Sequence, residues 1–522
     1  MKKFLLTLAA VMLTVAGFSQ TSAKWSKSIK AHESGVRFSD WAYNSPIAAA
    51  EDGSVYVTGT FDQDLTIGSD KLDHTGTSAF LAKYSNTGEA LWAISLNGAA
   101  TITAISATAD GAVLAGVFAE EVIIGSKDGN TQTINGMEDA FDEVSAFILR
   151  YDAAGNLKAV KTIIPEIDPF YGQYLFPVED WDPFYLSEPV FNPQQIGMVG
   201  DRIYLSADYT ADAKISEQLT LKGKVQDYYG FMYVDLFSSA ILSFDTNLSD
   251  AELIYHVTSA DDYTMMEPKS LKFAVSNDKV YAAGSGYGTL AVSGKQTDTI
   301  EFSMDEWEGL TENGMFIIDP EKGVKVFHAT ATSRSNIINE INYISVNDGF
   351  MSLVGTYSAC LPFDNTKTED SYNETFSALY NLTSETVCGV NVSGTQKGAN
   401  EKEIISGVRF DDNATYVATY VYCDALGSEA IVKGVNLNFT DSGVTSEAAA
   451  EIATAMSSKT AKDVFIVTAD DGIYTVSLKD LSSTAITKLI AEDNIVRKEL
   501  IGGRVFLIKN GKRYNLLGIE QK

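Results

Sequence analysis

Carboxylates and aromatic rings are concentrated between Pro165 and Pro193, a stretch with six of the chain's ten prolines and eight aromatics: Phe170, Tyr171, Tyr174, Phe176, Trp181, Phe184, Tyr185 and Phe191. Asp168-Pro169-Phe170-Tyr171 recurs there as Asp182-Pro183-Phe184-Tyr185. Proline stiffens the backbone that carries the rings. Planar faces beside carboxylates suit a carbohydrate or peptide ligand, because rings cover apolar patches while Asp and Glu accept hydroxyl protons. Asp227-Tyr228-Tyr229-Gly230-Phe231-Met232-Tyr233 and Phe302-Ser303-Met304-Asp305-Glu306-Trp307-Glu308 have the same character. The candidate ligand-binding residues are therefore Phe170, Tyr171, Tyr174, Trp181, Asp182, Tyr185, Tyr228, Tyr229, Trp307 and Glu308. Rings of this kind also pack down as a cap over a scaffold, and the sequence leaves both readings open.

Catalytic signatures are missing. There is no HExxH, no GxSxG and no Walker loop, and none of His32, His74, His256 and His328 lies at ligand spacing from another histidine. No catalytic residue, metal ligand or cofactor is assigned. Calcium is the one ion to consider, at Asp62-Gln63-Asp64 or Asp411-Asp412, although no complete calcium loop surrounds either. Carboxylates paired for glycoside cleavage have a geometry that folding sets, so a polysaccharide hydrolase or lyase stands as the alternative to a binding protein.

What must position these stretches is a repeat. Val55-Tyr56-Val57-Thr58 opens after Asp52-Gly53 and closes at Gly59; Ala79 to Tyr84 follows, then the turn Ser85-Asn86-Thr87-Gly88 and Leu91-Trp92. With Ile47 to Ala50 these runs predict four short antiparallel strands. Gly111 to Gly116, Val122-Ile123-Ile124-Gly125, Ser145 to Tyr151 and Asp152-Ala153-Ala154-Gly155 repeat the features in order. Looser copies begin near Ile203, Lys279, Gly349 and Tyr416, and a degenerate one includes Val464 to Val467 and Ile473 to Val476, for six or seven in all. Gly284-Ser285-Gly286 reads as a turn of one such copy. One small sheet cannot cover both of its faces, and radial stacking of copies solves this, so the fold class is all-β, a β-propeller of four-stranded antiparallel blades. Lys24 to Ile29 looks like an orphan last strand, which predicts ring closure through the N-terminus.

In such a meander the connections after the first and third strands share one end, and those after the second and fourth share the other. The first set is tight here and the second carries the insertions, so function is expected on the second.

The order DG-x-VYVTG, IG, SAFLAKY-x-x-x-G-x-x-LW resembles the seven-bladed β-propeller repeat of exported bacterial proteins. The resemblance implies a fold and an extracytoplasmic setting and brings no catalytic residue.

Met1-Lys2-Lys3 followed by apolar Phe4 to Phe18 reads as a signal peptide, with cleavage expected between Ser19 and Lys24. The expected domains are 1–23, signal; 24–494, propeller; and 495–522, a basic tail. The destination is periplasm, outer surface or medium, and the helical hydropathy pattern of a membrane span is lacking after the signal. A net charge of −30 repels nucleic acid and anionic lipid, leaving a glycan, peptide or protein partner. Cys360, Cys388 and Cys423 allow at most one disulfide. From Arg497 to Lys522 seven basic residues stand against Glu499 and Glu520, and Asn510-Gly511 between apolar runs predicts a hairpin. This tail resembles short sorting tails of exported Gram-negative proteins; a last hairpin on the final blade is the other reading. Asp298-Thr299-Ile300 resembles the O-glycosylation triplet of some exported Gram-negative proteins.

Overall fold

The computed structural model describes residues 23–27, 47–50, 54–85, 89–137, 145–166, 191–228, 232–260, 268–294 and 297–302, shorter runs from 304 to 392, and strand segments from 403 to 521. Among the described residues every regular element is a strand. Six antiparallel meanders follow one another. Sheet I comprises Ile47–Ala49, Val55–Phe61, Ser78–Tyr84 and Ala90–Asn97; sheet II comprises Ala100–Thr108, Gly111–Phe118, Ser145–Asp152 and Leu157–Ile163. Sheet III runs through Phe191–Val199, Arg202–Tyr209, Ser238–Asp245 and Ala251–Ser259, and sheet IV through Pro268–Ser276, Lys279–Tyr287, Asn313–Asp319 and Gly323–Ala329. Asn339–Asn347, Phe350–Tyr357, Glu374–Asn381 and Thr386–Val392 make sheet V; Glu403–Phe410, Thr415–Cys423, Ala430–Thr440 and Gly443–Thr445 make sheet VI. Sheet VII pairs Val464–Ala469 with Gly472–Ser477, and Ala23–Lys27 joins the latter as the third strand.

First strands of successive sheets lie side by side from I to VI, and the first strand of sheet VII lies against that of sheet I. The chain is a β-propeller. Its second and third strands are sandwiched between neighbours, which is why Val55–Phe61, Ser78–Tyr84 and Gly111–Phe118 are almost wholly buried and read as continuous rather than alternating apolar runs. Cores form between sheets: Tyr56, Leu81 and Ile94 of sheet I meet Ile102, Leu114 and Phe147 of sheet II, and Ala283, Met315 and Ile317 of sheet IV meet Ile341, Leu353 and Phe376 of sheet V.

The first strands of sheets II to VI share an irregularity, a bulge between Ile102 and Ala104, Pro193 and Gln195, Lys269 and Lys272, Ile341 and Tyr343, and Ile405 and Val408. In sheets II, IV and V a glycine of the repeat (Gly116, Gly284 and Gly355) stands opposite. A Cβ on Gly116 would lie 2.1 Å from the Thr101 carbonyl oxygen, and one on Gly355 would lie 2.0 Å from that of Glu340. The glycines thus accommodate the bulged neighbour and do not end the strand: Gly59 is internal to Val55–Phe61, and Gly284-Ser285-Gly286 lies inside Lys279–Tyr287, not in a turn.

Between second and third strands, sheets I to V each carry inserted hairpins. In sheet II it is Glu121–Gly125 with Thr131–Asn135, and in sheet IV the first is Thr289–Ser293 with Thr297–Glu301. These hairpins dock on the outer strand of the preceding sheet. Ile123 and Ile124 pair with Asn97 and Leu96 of sheet I; His256 to Ser259 of sheet III pair with Ser293 to Leu290. In sheet III the hairpin Asp212–Lys214 with Thr220–Leu221 pairs with Pro165–Glu166, which follows the outer strand of sheet II. Among the described residues, sheets I to IV are thus tied to one another by main-chain hydrogen bonds along their outer edges.

Candidate functional site

Tight turns lie at one end of the sheets. Their third-to-fourth connections are closed by one side chain accepting main-chain amides: Ser85 from Glu89 (3.0 Å), Asp152 from Ala154 (3.0 Å) and Asn156 (2.8 Å), Asp319 from Glu321 (2.9 Å), Asn381 from Thr383 (2.8 Å). The opposite end bears the hairpins, and all three ring-rich stretches emerge there. The 165–193 stretch joins sheet II to sheet III, while the hairpin Lys224–Tyr228 with Met232–Leu236 and the pair Met304–Asp305 with Leu310–Thr311 lie in the second-to-third connections of sheets III and IV.

Of the predicted site residues, Phe170, Tyr171, Tyr174, Trp181, Asp182, Tyr185, Tyr229, Trp307 and Glu308 lie outside the described residues. Tyr228 ends the strand Lys224–Tyr228, its backbone paired with Met232. Asp411-Asp412 also lies outside them; Asp62 and Asp64 are exposed, Asp64 bonding to His74 Nδ1 at 3.1 Å. Among the described residues no group of three or more His, Cys, Asp or Glu side chains is arranged to hold a metal ion.

Beneath the insert-bearing end, sheets III and IV bring together polar groups that periodicity alone does not reveal. Lys272, just past the bulge in the first strand of sheet IV, is 3% exposed. Its Nζ donates to Gln194 Oε1 at 3.3 Å, with the Gln194 carbonyl at 3.5 Å. Burial pulls its pKa down to about 8, against the opposing pull of the Asp208 and Glu340 carboxylates. Asp208 accepts from Ser239, and Ser206 donates to the Leu271 carbonyl. Gln195 clamps Phe273 from both sides, accepting its N–H and donating to its carbonyl, each at 2.9 Å. Thr103 donates to the Pro193 carbonyl at 2.7 Å. Bulging of the inner strands turns main-chain groups sideways, and side chains of the neighbouring sheet meet them.

On the other face of sheet III, Tyr209 Oη lies 2.5 Å from His256 Nε2 with the rings stacked at 6.0 Å, and Ser238 bonds to Thr258 at 2.9 Å. Burial lowers the His256 pKa and raises that of Tyr209, so both are neutral at neutral pH. His256 stands where the Thr289–Ser293 hairpin strand docks, paired with Ser293. The one signal for Lys272 in sequence is a cation inside the strand-like run Leu271-Lys272-Phe273-Ala274-Val275. Its amine is too enclosed to meet a substrate, so this cluster fixes the platform from which the inserts leave.

No family model and no curated relative matches the sequence. Solved structures to which the chain is similar include the parainfluenza virus 5 hemagglutinin-neuraminidase with ligand DANA, at 11% identity over 82% of this chain and 92% of that one, TM-score 0.29. The ectodomain of the same viral protein matches at 10% over 91% and 94%, TM-score 0.30, and the WD40 domain of SCAP from fission yeast at 9% over 84% and 95%, TM-score 0.29. Likeness at this level carries no inference about the chemistry of this chain.

Proposed function

We propose that the chain is an exported Gram-negative β-propeller that binds a glycan, peptide or partner protein through its insert-bearing end. The observation that carries this reading is the asymmetry of the two ends, with side-chain-closed turns on one and inserted hairpins in five consecutive sheets on the other. A rigid scaffold with elaboration confined to one end is the usual architecture of a recognition surface. In this reading seven sheets close a ring, with Ala23–Lys27 in the closing sheet. Residues 1–23 direct export, and the rings of the 165–193 stretch, Tyr228, Tyr229 and Trp307 form an aromatic, acidic groove.

The double variant Trp181→Ala with Trp307→Ala tests it. Mature protein is screened on glycan and peptide arrays and by pull-down. Loss of at least tenfold in binding, with an unchanged unfolding midpoint, is expected; binding unaltered on every array sinks the groove. A second reading is a polysaccharide hydrolase or lyase with carboxylates at the central channel. Product formation from any acidic or neutral polysaccharide incubated with the purified mature chain would favour it, and its absence across such substrates would leave the binding reading.

A further inference from the structure

We propose that Thr299 is an O-glycosylation site. Aspartate is followed by Ser or Thr at four places, Asp245-Thr246, Asp298-Thr299, Asp370-Ser371 and Asp441-Ser442, and only at Asp298-Thr299-Ile300 is the next residue aliphatic. The structure sets this triplet on Thr297–Glu301, the last strand among the described residues of the six-stranded sheet built on sheet III, beside Gly323–Ala329 of sheet IV. Alternation along the strand separates the roles: Thr297, Thr299 and Glu301 are exposed, Asp298 is half-buried and Ile300 is 1% exposed within the core between sheets III and IV. A sugar on Thr299 therefore projects into solvent without disturbing the packing of the hairpin, as an attached glycan must. By contrast, Asp245 is engaged by the main-chain amides of Ser249 (2.6 Å) and Asp250 (2.8 Å), so that the Asp245-Thr246 pair belongs to a closed turn.

The burial of Ile300 has a kinetic consequence. A transferase that reads all three side chains meets them together only before the hairpin docks, so transfer precedes folding of sheet IV. In the transfer, Thr299 Oγ1 forms a bond to C1 of a glycan carried on a lipid diphosphate. The C1–O bond to phosphate breaks, the lipid diphosphate leaves with the electron pair, and the hydroxyl proton passes to a base on the transferase. The inference rests on export of the chain, and its test is arranged so that the two fail separately.

Residues 24–522 are exported behind a leader already known to work, in a Gram-negative host that glycosylates Asp-Ser/Thr-aliphatic triplets and in a host that does not, and the native leader is compared in parallel. Mass spectrometry of the tryptic peptide Gln296–Lys322 gives the readout. Glycan mass on this peptide in the first host alone is expected, lost in Thr299→Ala and Asp298→Ala and kept in Thr299→Ser and Thr297→Ala. An unmodified peptide from protein recovered outside the cytoplasm overturns the site, as does glycan retained in Thr299→Ala. Failure of the native leader alone counts against the export reading and leaves the site to the borrowed leader. Because all variants are read as peptides, a folding defect in any one does not obscure the result.

Discussion

Single side chains do two kinds of work here, closing turns and tying neighbouring sheets. Trp92 and Lys83 of sheet I both donate to the Ala153 carbonyl, at 3.1 and 3.2 Å, and so lock sheet I onto the tight turn of sheet II. Trp92 also meets the Tyr56 ring edge-on at 5.9 Å, which explains why a Trp closes the first repeat. Trp92→Phe keeps the ring contact and loses the hydrogen bond. Because Lys83 still satisfies the carbonyl, a cost of about 1 kcal/mol is expected, read as a lowered denaturant midpoint. Lys272 gives a pH signature. Its folded pKa, about 8, lies below the ordinary 10.5, so between those values the unfolded chain binds more protons and stability rises with pH. Tyr84, Tyr255 and Tyr380, raised by burial to about 12, act oppositely above pH 10, so the window for Lys272 is pH 8 to about 10. Urea midpoints should climb across that window in the natural protein, and Lys272→Met should flatten the climb; an unchanged slope in the variant would assign it to other groups.

At the scale of elements, the middle strands were legible in the sequence because burial on both faces leaves an unbroken β-branched and aromatic run. The turns were legible through Asp, Asn and Gly. Two devices were not. Bulges on the first strands carry no residue signature, since Thr103, Gln194 and Asn342 share only polarity. Docking of a hairpin on the preceding sheet is a pairing between distant segments, and Val122-Ile123-Ile124-Gly125 betrays its own strand but not the partner. The glycines opposite the bulges of sheets II, IV and V are visible in the sequence but read as ends, because a glycine after an apolar run signals a turn more often than a close approach of backbones. The ten binding-site candidates remain a reading of composition, with Tyr228 alone on a described strand. The bulge account makes a prediction. Gly116→Ala puts a methyl against the Thr101 carbonyl and the Phe147 ring, so a loss of ~3 kcal/mol is expected by chemical denaturation. Gly129→Ala, with open space around the new Cβ but a φ of 81°, should cost less, ~1 kcal/mol. Equal costs would mean that close approach to the bulged strand is not what demands the glycine at 116.

At the scale of the whole molecule, the strongly acidic propeller sheets contrast with a basic C-terminal segment. Strands Arg497–Ile501, Arg504–Lys509, Lys512–Tyr514 and Glu520–Gln521 pair in sequence order with one another, and among the described residues with no strand of sheets I to VII. Lys509 pairs directly with Lys512. We propose that this segment, opposite in charge to the rest of the chain, serves a separate partner or address. In this reading, deleting Val496–Lys522 leaves the thermal unfolding of the remaining sheets within about 0.5 kcal/mol of the full chain, while shifting the protein from the cell surface to the periplasm. Both quantities are measurable on the same preparation, by thermal unfolding of purified protein and by surface labelling of intact cells. Lost folding with unchanged delivery would make these strands the last pieces of the scaffold, and the address would then have to lie elsewhere in the chain.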